Sequence, residues 1–237
     1  MRRAAALLAA SVAVALPLRA QSFDAAAAYI AINSTPVGLL SRPLSSQMLG
    51  ADQRRLGVFG TYGRLDDPGG ALNAYGAGID FAFGIGRFSA LVGSRSCDDC
   101  EATVMFGAAW QGRTYSSLAR GADPAPAVNI GLDAHGGVAI PTSGNSGSDL
   151  AFGFGLPIAY AVPMSGANVA PWLLPSVDFG RLTRNGSTYA DARFALGGGL
   201  TYLRSAGFGV QVGFYKLFVE NGKTTATIAL EWAPPIR

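Results

Sequence analysis

Beyond its first twenty residues the chain alternates between apolar side chains and small or polar ones, with a period of two. In the segment 73–83, Tyr75, Ala77, Ile79, Phe81 and Phe83 share one face, while Ala74, Gly76, Gly78, Asp80 and Ala82 share the other. Segment 101–111 sets Ala102, Val104, Phe106, Ala108 and Trp110 against Glu101, Thr103, Met105, Gly107 and Gln111. Segment 127–139 sets Val128, Ile130, Leu132, Ala134 and Val138 against Asn129, Gly131, Asp133, His135 and Gly137. The same pattern runs through 150–162, 190–203, 206–217 and 223–233, and more weakly through 55–65, 87–95 and 169–180. A period of two belongs to β-strands with unlike faces. These segments predict about ten strands, with eight or twelve still open.

An apolar face alone does not separate a soluble core from a lipid-facing wall; the opposite face does. A soluble sandwich shows water its long polar side chains. Here that face is mainly Gly and Ala, with isolated groups at Asp80, Glu101, Asn129, Asp133, His135, Asp191, Arg193 and Glu231. Small residues suit the crowded interior of a narrow barrel, and isolated charges there pair across the lumen. The apolar faces avoid charge, with Lys216 at a strand end as the main exception. An Arg or Lys at the bilayer midplane costs roughly 2–4 kcal/mol, which explains the avoidance. The predicted fold is an all-β, transmembrane, antiparallel up-and-down barrel over residues 55–233. Phe83, Trp110, Tyr160, Tyr202 and Trp232 end the outward faces of alternate strands, as an interfacial aromatic girdle does. Tyr75, Phe152, Phe179 and Phe214 are expected toward the other rim.

The turns fit hairpins. Gly84–Arg87 and Arg204–Gly207 are short, whereas Asp66–Gly70, Pro141–Asp149, Arg184–Thr188 and Glu220–Lys223 are rich in Gly, Asn, Asp and Ser. Asn185-Gly186 and Asn221-Gly222 are strong hairpin signals. Residues 21–54 yield no single assignment: the Ala-rich stretch is open to a strand, a short helix or a lumen-filling segment.

The first twenty residues read as a secretory signal peptide: Arg2 and Arg3, an apolar run from Ala4 to Leu16, and a small exit residue at Ala20. Removing them takes Arg2, Arg3 and Arg19, so the 18 basic residues fall to match the 15 acidic ones. A near-neutral mature chain gives no support for a nucleic-acid partner. Charged residues make up 14% of the chain, well below the quarter or so of soluble domains.

With signal, alternation and aromatic rims together, the chain resembles the small outer-membrane β-barrel proteins of Gram-negative-type bacteria. The resemblance is architectural and specifies no subfamily. It implies a bacterial outer-membrane address, contact with outer-membrane lipid and insertion by the outer-membrane assembly machinery. Trp232 fills the aromatic position of the last strand, with Ala233 to Arg237 trailing beyond it as a departure from the usual aromatic terminus.

Candidate chemistry is sparse. Asp133 and His135 share one face, and Asp-x-His on a barrel strand is similar to the dyad of omptin-type proteases. The second acidic pair of that family has only the adjacent Asp66-Asp67 as a counterpart, and Ser143, Ser146 and Ser148 lie in the loop after His135. The bland reading is a lumen histidine bonded to an acidic neighbour. Cys97 and Cys100 flank Asp98-Asp99 between two strands, where an oxidising compartment permits a small disulfide. Four zinc ligands are not available from this pattern, and nothing hosts a nucleotide, flavin or haem, so no metal or cofactor is expected. Wide aqueous channels take about 16 strands. The expected role is therefore non-enzymatic: structural, surface-interacting or a narrow passage for small solutes. The alternatives are a surface hydrolase using Asp133 and His135, and a soluble secreted β-protein.

Overall fold

The computed structural model describes residues 39, 55–67, 70–84, 86–96, 102–118, 125–142, 147–184, 187–218 and 224–234. The signal segment, its cleavage point, Cys97, Cys100, Glu101, and all of 21–54 except Leu39 lie outside these residues. The described chain forms β1 (Arg55–Asp67), β2 (Gly70–Phe83), β3 (Gly86–Ser96), β4 (Thr103–Ser116), β5 (Ala127–Pro141), β6 (Asp149–Gly155), β7 (Ile158–Met164), β8 (Ala167–Arg184), β9 (Ser187–Arg204), β10 (Phe208–Leu217) and β11 (Thr224–Trp232). Each pairs antiparallel with its chain neighbours, except that β6 and β7 both pair with β5 and β8 and not with each other; β1 pairs with β11, so the sheet closes on itself. Closure leaves every strand paired on both sides, as a hydrocarbon environment demands.

Eleven ladder segments make ten barrel strands. β6 and β7 both lie between β5 and β8, and they keep one register: Asp133 faces Gly155 and Ile130 faces Ile158 on β5. The gap falls at Leu156-Pro157, where proline has no N–H to donate. Two bonds still cross it, from Leu156 N–H to Pro175 O and from Gly131 N–H to Pro157 O, each 2.9 Å.

Alternation sorts the side chains as the sequence predicts. Ile79, Phe154 and Trp232 are 56%, 59% and 59% exposed, within a continuous outward belt of Phe, Leu, Val, Ile, Tyr and Trp. Such a belt on a closed sheet is a lipid-facing wall. The molecule is a transmembrane β-barrel; among the described residues no helix is long and apolar enough to cross a membrane, and the crossing is made by strands.

Two girdle residues stand well short of their strand ends: β7 runs on past Tyr160 to Met164, and Trp110 is the second. Phe83 and Trp232 end β2 and β11, but β4 runs on past Trp110 to Ser116 through an irregularity between Arg113 and Tyr115. Trp110 therefore sits inside the belt, opposite Phe88 and Ala134. The extra strand length was hidden because the bulge breaks the period-two pattern. At the other rim, Phe152 and Phe179 stack with centroids 4.9 Å apart.

Inside, an apolar cluster joins Phe59, Ala74, Leu91, Met105, Ala109 and Ala139 from β1 to β5. Leu39 belongs to the same cluster and is 4% exposed. It lies against the inward side of Gly63, so this residue of the N-terminal segment stands within the lumen.

Candidate functional site: a polar staple across the lumen

Asp133 and His135 are inward positions of β5, two residues apart and therefore on one face. The His135 ring bonds the Asp133 carboxylate through Nδ1. Its other nitrogen, Nε2, lies 3.0 Å from Asp178 Oδ1 on β8. These two strands are not neighbours, since β6 lies between them. The register explains the contact: His135 faces Gly153, and Gly153 faces Asp178. A Cβ on Gly153 would overlap the Asp178 carboxylate and stand 2.6 Å from His135 Nε2. Glycine here leaves a window through which side chains two strands apart meet.

The surroundings complete the cluster. The Tyr215 hydroxyl of β10 donates to Asp178 Oδ2, and Ser176 Oγ donates to the same oxygen at 3.3 Å. Gln111 of β4 donates from Nε2 to Asp133 Oδ2 at 3.3 Å. The side chains of His135 and Asp178 are 0% exposed and that of Asp133 is 1%. Each ring nitrogen faces one carboxyl group, and the ring donates to both only as the imidazolium. The histidine thus joins two buried carboxyl groups, and β4, β5, β8 and β10 are tied across the barrel interior.

A second cluster lies toward the end where the termini of the barrel meet. Arg87 of β3 clamps Asp80 of β2 through Nε at 3.1 Å and Nη2 at 2.7 Å. Arg55 donates from Nη1 to the Ala233 carbonyl at 3.0 Å, and Ala233 N–H bonds Gly207 O at 2.8 Å. The residues beyond Trp232 therefore begin by sealing this rim. Glu231 and Asn129 are buried inward positions as well. Asp191 and Arg193 pair with each other on β9.

The structure brings Asp133 and His135 together and adds Asp178, Tyr215, Ser176 and Gln111, which the sequence reading did not single out. Asp178 stood in the weakly alternating run 169–180, where Pro171 and Pro175 blur the strand signal. Its inward parity with Trp172, Leu174 and Ser176 was the available clue. Asp66 does not join the dyad: it is exposed and pairs with Arg64 at 2.8 Å. Neither nitrogen of His135 is left to activate a nucleophile, and the Ser176 hydroxyl is turned to a carboxylate. A concavity of about 370 Å³ adjoins the site on the lipid side, walled by Phe88, Trp110, Phe152 and Phe154. Among the described residues, no group of three or more His, Cys, Asp or Glu is arranged to hold a metal ion.

Fold and interior together define a membrane barrel with a stapled lumen. No family model and no curated protein matches the chain. Among solved structures it is similar to the transport unit of the autotransporter AIDA-I from Escherichia coli, at 9% identity and a TM-score of 0.37, covering 92% of this chain and 100% of that one. It is also similar to the translocator domain of the autotransporter NalP from Neisseria meningitidis, at 11% identity and a TM-score of 0.31, covering 77% and 88%.

Proposed function

We propose that the protein is a bacterial outer-membrane β-barrel with a closed lumen and a non-enzymatic role, structural or surface-interacting, through which at most the smallest solutes pass. It reaches that membrane by export on a cleaved signal peptide and insertion by the outer-membrane assembly machinery, with Trp232 as the aromatic residue of the last strand. The observation that carries the reading is the filled interior: inward carboxylates, arginines and His135 bond one another in burial, and Leu39 packs into the apolar cluster of β1 to β5. Interior ion pairs and packed side chains are what a narrow barrel holds when it is not a wide channel.

Conductance in a planar lipid bilayer tests it. Purified, heat-modifiable mature protein is expected to insert without steady channel steps. Stable ohmic conductance from the wild type would overturn the closed lumen. Hydrolysis of lipid or peptide substrates that disappears in a folded His135→Ala variant would overturn the non-enzymatic role.

A further inference from the structure

The C-terminal ends of β1, β3, β5, β8 and β10 lie at one rim of the barrel, and its outward face sets a cation beside an aromatic pair three times. On β1, Tyr62 and Arg64 stand two positions apart on the outward face, and Tyr62 packs on Tyr75 at 5.1 Å between centroids. On β8, Phe179 and Arg181 do the same, with Phe179 stacked on Phe152. At the end of β10 the order is reversed, Lys216 and then Phe218 just beyond the strand, with Phe218 against Phe194 at 5.3 Å. Each cation thus sits beside an aromatic pair where the apolar belt gives way to loops.

The three differ in what engages the cation. Asp66 takes Arg64. The cross-strand neighbours of Arg181 are Leu150 and Ala190, and those of Lys216 are Leu196 and Thr224; none is acidic. Arg181 is exposed. Lys216 is half-buried, and its Nζ lies 5.9 Å from the centroid of Phe218, the next outward position toward the rim. Its stem lies along apolar wall and its charge is carried to the edge, as a snorkelling lysine does. Aromatic rings at that depth prefer the boundary between acyl chains and headgroups. The anionic groups at that boundary are phosphates. A guanidinium offers a phosphate two parallel donors and an ammonium offers a compact charge.

We infer that Arg181 and Lys216, each set beside its aromatic pair, form two sites on the lipid-facing wall for membrane lipids bearing an anionic phosphate headgroup. The proposal rests on the reading that the barrel spans a membrane. The rings hold the upper acyl chain, and the cation holds the phosphate.

Native mass spectrometry of the full mature protein in neutral detergent tests the inference. Phosphatidylglycerol, phosphatidylcholine of the same acyl chains and inorganic phosphate are titrated separately. Phosphatidylglycerol is expected to be retained over phosphatidylcholine. Arg181→Gln or Lys216→Gln is expected to reduce that retention about fivefold, and both together roughly twentyfold. Arg64→Gln, whose guanidinium is already taken by Asp66, is expected to leave it unchanged. Equal retention of the two lipids by the wild type would overturn the sites, and so would single variants that bind like the wild type. Inorganic phosphate that competes at millimolar concentration would assign the cations to free anion and overturn the lipid assignment. Heat modifiability, read on every sample, keeps these outcomes apart from failure of the membrane reading: a protein soluble without detergent loses the barrel assignment itself. If a Gln variant fails to fold, the wild-type preference between lipids and the Arg181→Lys variant still decide.

Discussion

His135 has a position in which removal is costlier than exchange. Both of its nitrogens face carboxylates that are sealed from water. His135→Ala leaves Asp133 and Asp178 buried without the ring between them, and breaking a buried pair in this way costs about 3–5 kcal/mol. The expected result is a lower midpoint for the heat-induced gel shift than in the wild type; an unchanged midpoint would show that the staple adds nothing to stability. Gly153→Val tests the window without removing an ionisable group, because its side chain must displace the Asp178 carboxylate. A shift comparable to that of His135→Ala is expected, measured on the same gel. Tyr215→Phe removes one hydrogen bond to a charged group, so its cost should be smaller, about 1.5–3 kcal/mol.

At the scale of the strand, position along the membrane normal decides what a substitution does. Thr224, Ala226, Ile228, Leu230 and Trp232 share the outward face of β11. Ile228 is the middle position and Thr224 lies at the loop rim. Ile228→Arg should destabilise the barrel by roughly 2–4 kcal/mol, whereas Thr224→Arg should cost about 0–1 kcal/mol. Reversible unfolding in urea from lipid vesicles measures both, and equal effects would mean that β11 does not face a bilayer. That face was legible in the sequence because lipid on one side and a packed lumen on the other impose unlike residues at alternate positions. Legibility failed where backbone geometry departs from the simple strand. The bulge near Arg113 hid the end of β4, and Pro157 split one strand into two ladder segments. The inward staple was half legible: Asp133 and His135 are neighbours in sequence, but Asp178 and Tyr215 reach them only across intervening strands. No local pattern reports a contact made across a missing side chain on the strand between.

At the scale of the whole molecule the interior is held in two ways. Polar side chains are fixed by bonds between strands of the barrel. The apolar cluster of β1 to β5 includes Leu39, which lies in no strand and packs against the wall. Packing contacts of one leucine are worth about 2–5 kcal/mol when deleted in a close-packed site, enough to decide whether a residue stays. Leu39→Asp places a carboxylate among Phe59, Leu91 and Met105, where no cation faces it in the apolar cluster, so the aspartate should leave for water. The lumen then loses its stopper on the β1–β5 side while the His135 staple persists. The expected outcome is higher ionic conductance for Leu39→Asp than for the wild type in planar bilayers. A second variant fixes the cause. Leu39→Cys with Gly63→Cys, in a background of Cys97→Ser and Cys100→Ser, brings two thiols together where a Cβ at position 63 stands 2.8 Å from the Leu39 side chain. A short thiol-specific crosslinker should hold that variant at wild-type conductance, and reversing the crosslink should leave the leucine-free variant more conductive. Equal conductance for wild type and Leu39→Asp would mean that the barrel is closed by its own wall residues and that Leu39 is a passenger.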